Sequence, residues 1–476
     1  MASAKLLCTQ VASAFLSHYE ATGQYQRELI ALLCELATSE DEGMARAGME
    51  GIFPFLVERL SDSFNPEYCP LYDRVFAQIV EFCRHLPAGR ALDGALKRFG
   101  LESEEDLLRR KERLRARLPF PQEEKFQIEK VFVLSRVTLG AEVAITSIIL
   151  AKMKQLFPQA ELVLLAAPTM WHLFGGDHRV RICTVEYNRS GGVIERLNSW
   201  LDVLAALDGE RKGLRPESYL VIDPDSRLTQ LGFFPLVEDE SRYYFFESRS
   251  YRRPGLGCIS RLTMSWLEEF FGPGEEIFPY LSLPQEDREP GEKLLQALRR
   301  GGARCLVSAN FGVGGNERKR LPDPFEEKLV SGLIESGATV VLGKGVGEEE
   351  LNRANRLAAR LREKGKKVLE VNEGNISELV RAGKLRADFV AWEGNVGVFC
   401  ALIGGSDEYI GYDSGGQHIA AAQGVPVVDI FVDRSYPLIS ERWQPYGPAE
   451  VRVVKAEPED TPDDILLRVM QYHREN

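Results

Sequence analysis

The sequence is organised around residues 409–432, which read Tyr409-Ile-Gly-Tyr-Asp-Ser-Gly-Gly-Gln-His-Ile-Ala-Ala-Ala-Gln-Gly-Val-Pro-Val-Val-Asp-Ile-Phe-Val432. An apolar run ends at Asp413, two glycines follow, a helical pattern continues to Gln423, and Gly424-Val-Pro426 restarts an apolar run. This order predicts a strand, a glycine-rich elbow, a short helix and a second strand. In open α/β sheets, ligands bind beyond the carboxyl ends of the strands.

The elbow is a candidate anion site. A helix N-terminus and glycines let backbone amides approach a phosphate. Ser414 and the amides of Gly415 and Gly416 are placed to hold one. The alternative is a tight turn whose glycines serve only packing.

Composition limits the class of protein. At 476 residues the chain is long enough for about three domains. Its formal charge of -12 argues against broad nucleic-acid binding. The eight cysteines show no CxxC or other metal-ligand spacing, which favours reduced thiols in a cytoplasmic protein. No apolar run approaches the roughly 18 residues that cross a bilayer.

The first part of the chain is predicted to be helical. Apolar residues up to about position 118 recur at helical spacing, and nothing there alternates like a strand. We therefore predict an accessory all-α domain over residues 1–120.

The rest of the chain predicts two α/β units. Strand and helix patterns alternate over residues 125–285 and again over 290–455, as in parallel doubly wound sheets. A polar, proline-containing segment at 284–291 is predicted to be the linker between them. Residues 460–476 are predicted to form a final helix. Two such lobes suggest a ligand in the cleft between them.

The elbow also carries a family resemblance. The pattern Asp413-Ser-Gly-x-x-His418-x-Ala-Ala-x-x-Gly424-x-Pro426 resembles the donor-site signature of glycosyltransferase family 9, the ADP-heptose heptosyltransferases of lipopolysaccharide core assembly. The resemblance extends over roughly residues 128–476. It implies a GT-B fold, with two Rossmann-like domains facing a cleft, and inverting transfer without a metal from a nucleotide-sugar donor.

A second stretch follows the same family pattern. Ser308-Ala-Asn-Phe-Gly-Val-Gly-Gly-Asn-Glu-Arg-Lys-Arg-Leu-Pro322 offers an amide nest in its glycines. Lys319 and Arg320 bring positive charge to the loop. By the resemblance, Lys319 is the lysine that neutralises the donor diphosphate, and Asp413 orders the elbow.

A third stretch resembles the family's turn with the catalytic base. In Ser135-Arg-Val-Thr-Leu-Gly-Ala-Glu-Val-Ala-Ile-Thr-Ser147, the position of the family's aspartate is occupied by Ala141, and Glu142 follows one residue later. The resemblance implies that a carboxylate here deprotonates the acceptor hydroxyl. We predict Glu142 in that role; the alternative is an acid that only favours a helix start.

Other polar residues are candidates for the same cleft. Lys344 follows a strand and is predicted either to touch the donor or to cap a loop. By the resemblance, Glu393 is a candidate contact for the nucleoside. His418 is predicted to brace the elbow and not to titrate. Asp223 and Asp225 have DxD spacing but lie in the other lobe from the donor, so no metal site is predicted.

The last helix of the N-terminal part is strongly basic. Six cations lie between Arg109 and Arg117, after an acidic cluster at 102–106. Such a helix is either a solvated surface helix or a surface for anionic lipid or phosphorylated glycan. We therefore predict a cytoplasmic protein with peripheral contact to the inner face of the membrane as the further option.

The sequence thus predicts a glycosyltransferase. Its donor would be a nucleotide sugar, by the resemblance ADP-heptose, and its acceptor a glycan, a lipid-linked glycan or a protein; no other cofactor is expected. Two alternatives remain at this stage. One is a sugar-nucleotide epimerase, and the other is a non-catalytic scaffold of the same fold that binds nucleotide sugar or glycan.

Overall fold

The computed structural model describes residues 2–188, 191–435 and 438–475. The strands are β1 Lys130–Leu134, β2 Glu161–Ala166, β3 Val180–Thr184, β4 Tyr219–Asp223, β5 Tyr243–Phe245, β6 Cys305–Asn310, β7 Ala338–Gly343, β8 Val368–Asn372, β9 Phe389–Glu393, β10 Glu408–Tyr412, β11 Val427–Phe431 and β12 Val451–Lys455.

Helices α1 to α7 form the N-terminal region, and the other helices lie between or after the strands along the chain. They are α1 Ala2–Thr22, α2 Arg27–Ala37, α3 Glu42–Ile52, α4 Glu58–Asp62, α5 Tyr68–Arg84, α6 Arg90–Arg98, α7 Glu104–Arg115, α8 Leu139–Ala141, α9 Ser147–Leu156, α10 Trp171–Phe174, α11 Val193–Glu210, α12 Ile259–Phe271, α13 Gln285–Gly301, α14 Phe325–Glu335, α15 Glu348–Glu363, α16 Ile376–Arg381, α17 Val396–Gly404, α18 Gly415–Ala422, α19 Ile439–Arg442 and α20 Pro462–Glu475.

Two parallel sheets confirm the predicted α/β architecture. The first has the strand order β3-β2-β1-β4-β5, and the second has the order β12-β11-β10-β6-β7-β9-β8. In the second sheet β10 lies between β6 and β11, with Gly411 opposite both Asn310 and Asp429. The loops that follow β6 and β10 therefore leave the sheet side by side. The sequence did not predict β5, whose three residues carry too little periodicity, nor did it predict β9.

The N-terminal helices share a core with the first sheet. Buried side chains of α1 to α7 and those on one face of the first sheet form one continuous apolar cluster, which includes Phe76, Phe132 and Trp200. The opposite face of the first sheet shares a second cluster with α13, α17 and α18. The predicted domain limits stay predictions, but the helical region is packed as part of the first lobe.

The basic helix α7 and its C-terminal extension are occupied by internal contacts. Arg110 and Arg113 both pair with Glu240, and Lys111 and Arg115 both pair with Glu247. The remaining two cations bind Asp106 and the carbonyl of Ser241. Arg110 and Lys111 are buried and attach α7 to the first lobe, so a freely solvated helix is wrong for these two. Arg109 and Arg113 are more than half exposed, and contact of this helix with a membrane stays a prediction.

The predicted linker at 284–291 is also wrong. These residues begin helix α13, with Pro284 at its N-cap and Pro290 inside it. The acidic residues that suggested a polar linker lie in the first turn of this helix, where the helix dipole favours negative charge. Asp287 is buried in this helix, and its Oδ2 atom lies 2.7 Å from Nδ1 of His172.

Candidate functional site

The elbow lies where β10 meets α18. Gly411 and Gly416 both pack against Tyr409, and a Cβ at Gly411 would lie 2.6 Å from the Tyr409 hydroxyl oxygen. Only glycine therefore lets α18 begin this close to the strand. The N-terminus of α18 is at Gly415, and a Cβ there would lie 2.9 Å from Cδ2 of Leu139, which belongs to the first lobe. The lobes are thus in contact at the elbow.

The lysine loop and the elbow converge. The Nζ atom of Lys319 lies 2.6 Å from Oδ2 of Asp413 and donates to the Asp413 carbonyl oxygen at 3.3 Å. The other oxygen, Oδ1, accepts from Nε2 of Gln417 at 3.1 Å. These contacts hold a cation beside Ser414 at the start of α18. A cation fixed in this way can stabilise negative charge on a bound group.

A buried acid lies under the elbow. Asp429 in β11 is fully buried, and among the described residues neither of its carboxylate oxygens has a hydrogen-bond partner. Burial raises the pKa of this carboxyl well above its ordinary value, and the negative charge of Asp413 raises it further against the opposing charge of Lys319. Burial therefore favours the neutral form of Asp429. The apolar run in which it lies gave no signal for it.

The glycine loop after β6 forms an amide nest, and a carboxylate of the chain fills it. Gly314 and Gly315 have left-handed backbone, with φ of 59° and 81°. Oε1 of Glu350 accepts hydrogen bonds from the amides of Val313 at 3.0 Å and Gly314 at 3.3 Å. The loop thus binds an anionic group, but in this arrangement the group is internal. Sequence analysis missed Glu350, whose only signal was its place at the start of α15.

Arg320 does not face the elbow. Its guanidinium is buried, donates to the Phe311 carbonyl oxygen at 3.1 Å and pairs with Glu317 and Glu326 at 3.2 and 3.5 Å. It braces its own loop from beneath. Lys319 is therefore the cation of this loop that contacts the elbow.

Lys344 and Glu393 contact each other. Nζ of Lys344, which follows β7, lies 2.9 Å from Glu393 at the end of β9 and 2.8 Å from Glu370 in the middle of β8. Burial lowers the pKa of Lys344, but the two carboxylates outweigh it and the pKa is raised. Lys344 and Glu393, which were both predicted from the sequence, thus lie in one ion-pair cluster. Glu370 also belongs to this cluster and was not predicted.

His418 is enclosed between the lobes. A Cβ at Gly140 would lie 3.0 Å from the His418 ring, and the ring of Trp443 is at 5.9 Å on the edge. Burial, with the nearby charge of Lys319, lowers the pKa of His418 to about 3. The imidazole is therefore neutral at physiological pH.

His418 should make the free energy of unfolding depend on pH. Because His418 stays neutral in the folded chain to about pH 3 but is protonated below about 6.5 when unfolded, its contribution to stability is lost as the pH falls through that window, by about 1.4 kcal/mol per unit. We expect His418→Gln to flatten the decline of the unfolding free energy between about pH 6.5 and 4, measured by urea denaturation. Parallel curves for the two proteins would contradict this.

Glu142 lies beneath the loop that touches the elbow. It is fully buried, and its Oε1 accepts from the Val137 amide at 2.7 Å and from the Ser135 hydroxyl. Burial raises the pKa of the carboxyl. In this arrangement the carboxylate caps its own loop and does not reach the surface of the cleft. Ala141, at the position of the resembling family's aspartate, is buried as well.

The strand-end aspartates of the first lobe are structural or paired. Asp223 is buried and accepts from the Ser226 amide at 2.6 Å. Asp225 has left-handed backbone and accepts from Nε of Arg249 at 3.0 Å. Arg249, also buried, was not singled out from the sequence, because a lone arginine far along the chain gives no periodic signal.

Among the described residues, no group of three His, Cys, Asp or Glu side chains is arranged to hold a metal ion. No helix in the described ranges has the length and apolar character needed to span a bilayer.

Residues 237–465 match the family model described as glycosyltransferase family 9 (heptosyltransferase). No curated protein sequence matches the chain. A solved structure of a family 9 glycosyl transferase from Veillonella parvula DSM 2008 is 15% identical, with a TM-score of 0.51, over 71% of this chain and 90% of that one. This likeness supports the two-sheet fold.

Two solved E. coli structures are also similar. ADP-heptose lps heptosyltransferase II is 15% identical over 73% of this chain and 100% of that one, with a TM-score of 0.46. Heptosyltransferase WaaC with ADP is 14% identical over 73% and 99%, with a TM-score of 0.47.

Proposed function

Because residues 237–465 carry a glycosyltransferase family 9 domain, we propose that this chain transfers a sugar from a nucleotide-sugar donor to an acceptor hydroxyl. The observation that carries the proposal is the ion pair of Lys319 and Asp413, which brings the loops after β6 and β10 together at the start of α18. The donor diphosphate is expected at this point, beside Ser414.

The donor is proposed to be an ADP-linked heptose, in keeping with the matched family's description as heptosyltransferases. The acceptor is proposed to be a glycan, a lipid-linked glycan or a protein held by the first lobe. The reaction would be a direct displacement with inversion, in which Lys319 and the amides of α18 stabilise the departing diphosphate without a metal.

Glu142 is proposed as the general base. Its loop contacts the elbow through Gly140 and Leu139, which places the carboxylate next to the candidate donor site. To act, the carboxylate must leave the Val137 amide when the lobes open for substrate.

A binding experiment tests the donor assignment. Calorimetry with ADP-, UDP- and GDP-linked sugars should show binding of the ADP-linked donor at the lowest concentration. A preference for a uridine donor would contradict the heptosyl assignment. No binding of any of the three would remove the proposed function.

Replacing Glu142 separates two roles. Glu142→Gln keeps an oxygen for the Val137 amide, so the fold should persist, while transfer should fall by about 100- to 10,000-fold because the base is lost. Donor affinity should change little. Transfer at the wild-type rate would show that the carboxylate only caps its loop. Glu142→Ala is the matched control for that cap and should lower the unfolding free energy by about 1 to 3 kcal/mol.

The non-catalytic scaffold remains the second candidate. The observation that favours it is the buried Glu142 next to Ala141. A scaffold would bind the donor without hydrolysing or transferring it under any acceptor. Turnover of the donor by the wild-type chain, lost in Glu142→Gln, would reject it.

A further inference from the structure

The loop at residues 63–67, between α4 and α5, joins the N-terminal helices to both lobes. Phe64 is buried and has φ of 54°, which is rare for a bulky side chain and persists only where neighbours hold it. Its carbonyl oxygen accepts from Arg252 of the first lobe. Its ring lies 6.0 Å from the ring of Trp443 in the second lobe, edge to face.

Trp443 continues this contact to the elbow. Its ring lies 5.9 Å from His418, and its carbonyl oxygen accepts from Nε2 of Gln417 at 3.2 Å. The same Nε2 donates to Oδ1 of Asp413, whose other oxygen holds Lys319. A continuous set of contacts thus runs from the helical region to the cation of the candidate donor site.

We propose that Phe64 is a positioning residue of the donor site. Its ring holds Trp443 in place, the Trp443 carbonyl orients the Gln417 amide, and that amide orients Asp413 and through it Lys319. The N-terminal region would therefore strengthen donor binding, although it contributes no group that touches the donor. This inference rests on the proposed donor site, but its structural part is tested without a donor.

Two substitutions separate the ring from the backbone. Phe64→Gly removes the ring and adopts the left-handed backbone without strain, so the loop path is kept. Phe64→Tyr keeps the ring. The control is Phe278→Gly, because the Phe278 ring packs at 5.1 Å on Tyr446 of the second lobe. In the described part of the chain, that pair makes no hydrogen bond or ring contact with residues 413–418.

The first measurement is hydrogen exchange in the ligand-free full chain. Phe64→Gly should speed exchange of the amides at 413–419 by about 3- to 10-fold, the change expected when one aromatic pair is lost. Phe64→Tyr and Phe278→Gly should exchange there like the wild type. Wild-type exchange in Phe64→Gly would overturn the proposal, whether or not the protein binds a donor.

The second measurement is the affinity for the donor that the wild type binds best. Phe64→Gly should weaken it by about 3- to 10-fold, and Phe64→Tyr should restore it. Unchanged affinity in Phe64→Gly would overturn the positioning role. If the wild type binds no nucleotide sugar, the proposed function fails, and the exchange result alone decides whether Phe64 orders the elbow. A cooperative thermal transition in each variant verifies folding.

Discussion

Replacing Lys319 by alanine is expected to reduce sugar transfer by about 100- to 1,000-fold, the range found when one preorganised donor to developing negative charge is removed. In this chain Lys319 lies 2.6 Å from Asp413 and is 21% exposed, so its charge is held in place at the elbow. Without it, the leaving diphosphate faces the uncompensated carboxylate of Asp413. Donor affinity should fall as well, and initial transfer rates with calorimetry would measure both effects.

The matched control is Lys328→Ala. Lys328 also pairs with an aspartate at 2.6 Å, but the partner is Asp463 at the start of α20, and both side chains are largely exposed. Exposed pairs contribute little, so this variant should retain wild-type transfer and stability within about 1 kcal/mol. Equal transfer in the two lysine variants would refute the role of Lys319 at the diphosphate.

Replacing Asp429 by asparagine is expected to stabilise the chain at neutral pH, by about 1.4 kcal/mol for each pH unit that separates the ionisation of the unfolded carboxyl from that of the folded one. Burial, with Asp413 nearby, raises the pKa of Asp429 in the folded chain. The unfolded carboxyl ionises above about pH 3.9, so the wild type loses stability as the pH rises from there toward the raised pKa. Asparagine keeps the shape of the neutral acid and does not titrate.

Urea denaturation from pH 4 to 8 tests this. The advantage of Asp429→Asn should be small near pH 4 and should grow with pH. Asp463→Asn is the control, because that side chain is 69% exposed and its replacement should change stability by less than about 0.5 kcal/mol. A constant difference at all pH values, or a less stable Asp429→Asn, would show that the folded carboxyl is ionised.

Local pattern was sufficient for the frame of the molecule. The elbow could be recognised from the sequence, because a strand end followed by two glycines and a helical run is compatible with few other local structures. The alternation of strand and helix patterns likewise predicted two parallel sheets, since parallel strands need a crossover. The convergence of Lys319 and Asp413 depends on the strand order, which the tertiary structure decides by placing β6 beside β10.

The local sequence pattern does not determine which partner each polar side chain contacts. The sequence alone determined most strands, most helices and the position of the elbow, since these depend on residues a few positions apart. Only the tertiary structure decided that Glu350 fills the amide nest, that Glu142 is sealed under its loop and that Phe64 reaches Trp443. Those contacts join segments that are distant along the chain or depend on how the lobes close, and their energy comes from burial and pairing that exist only after packing.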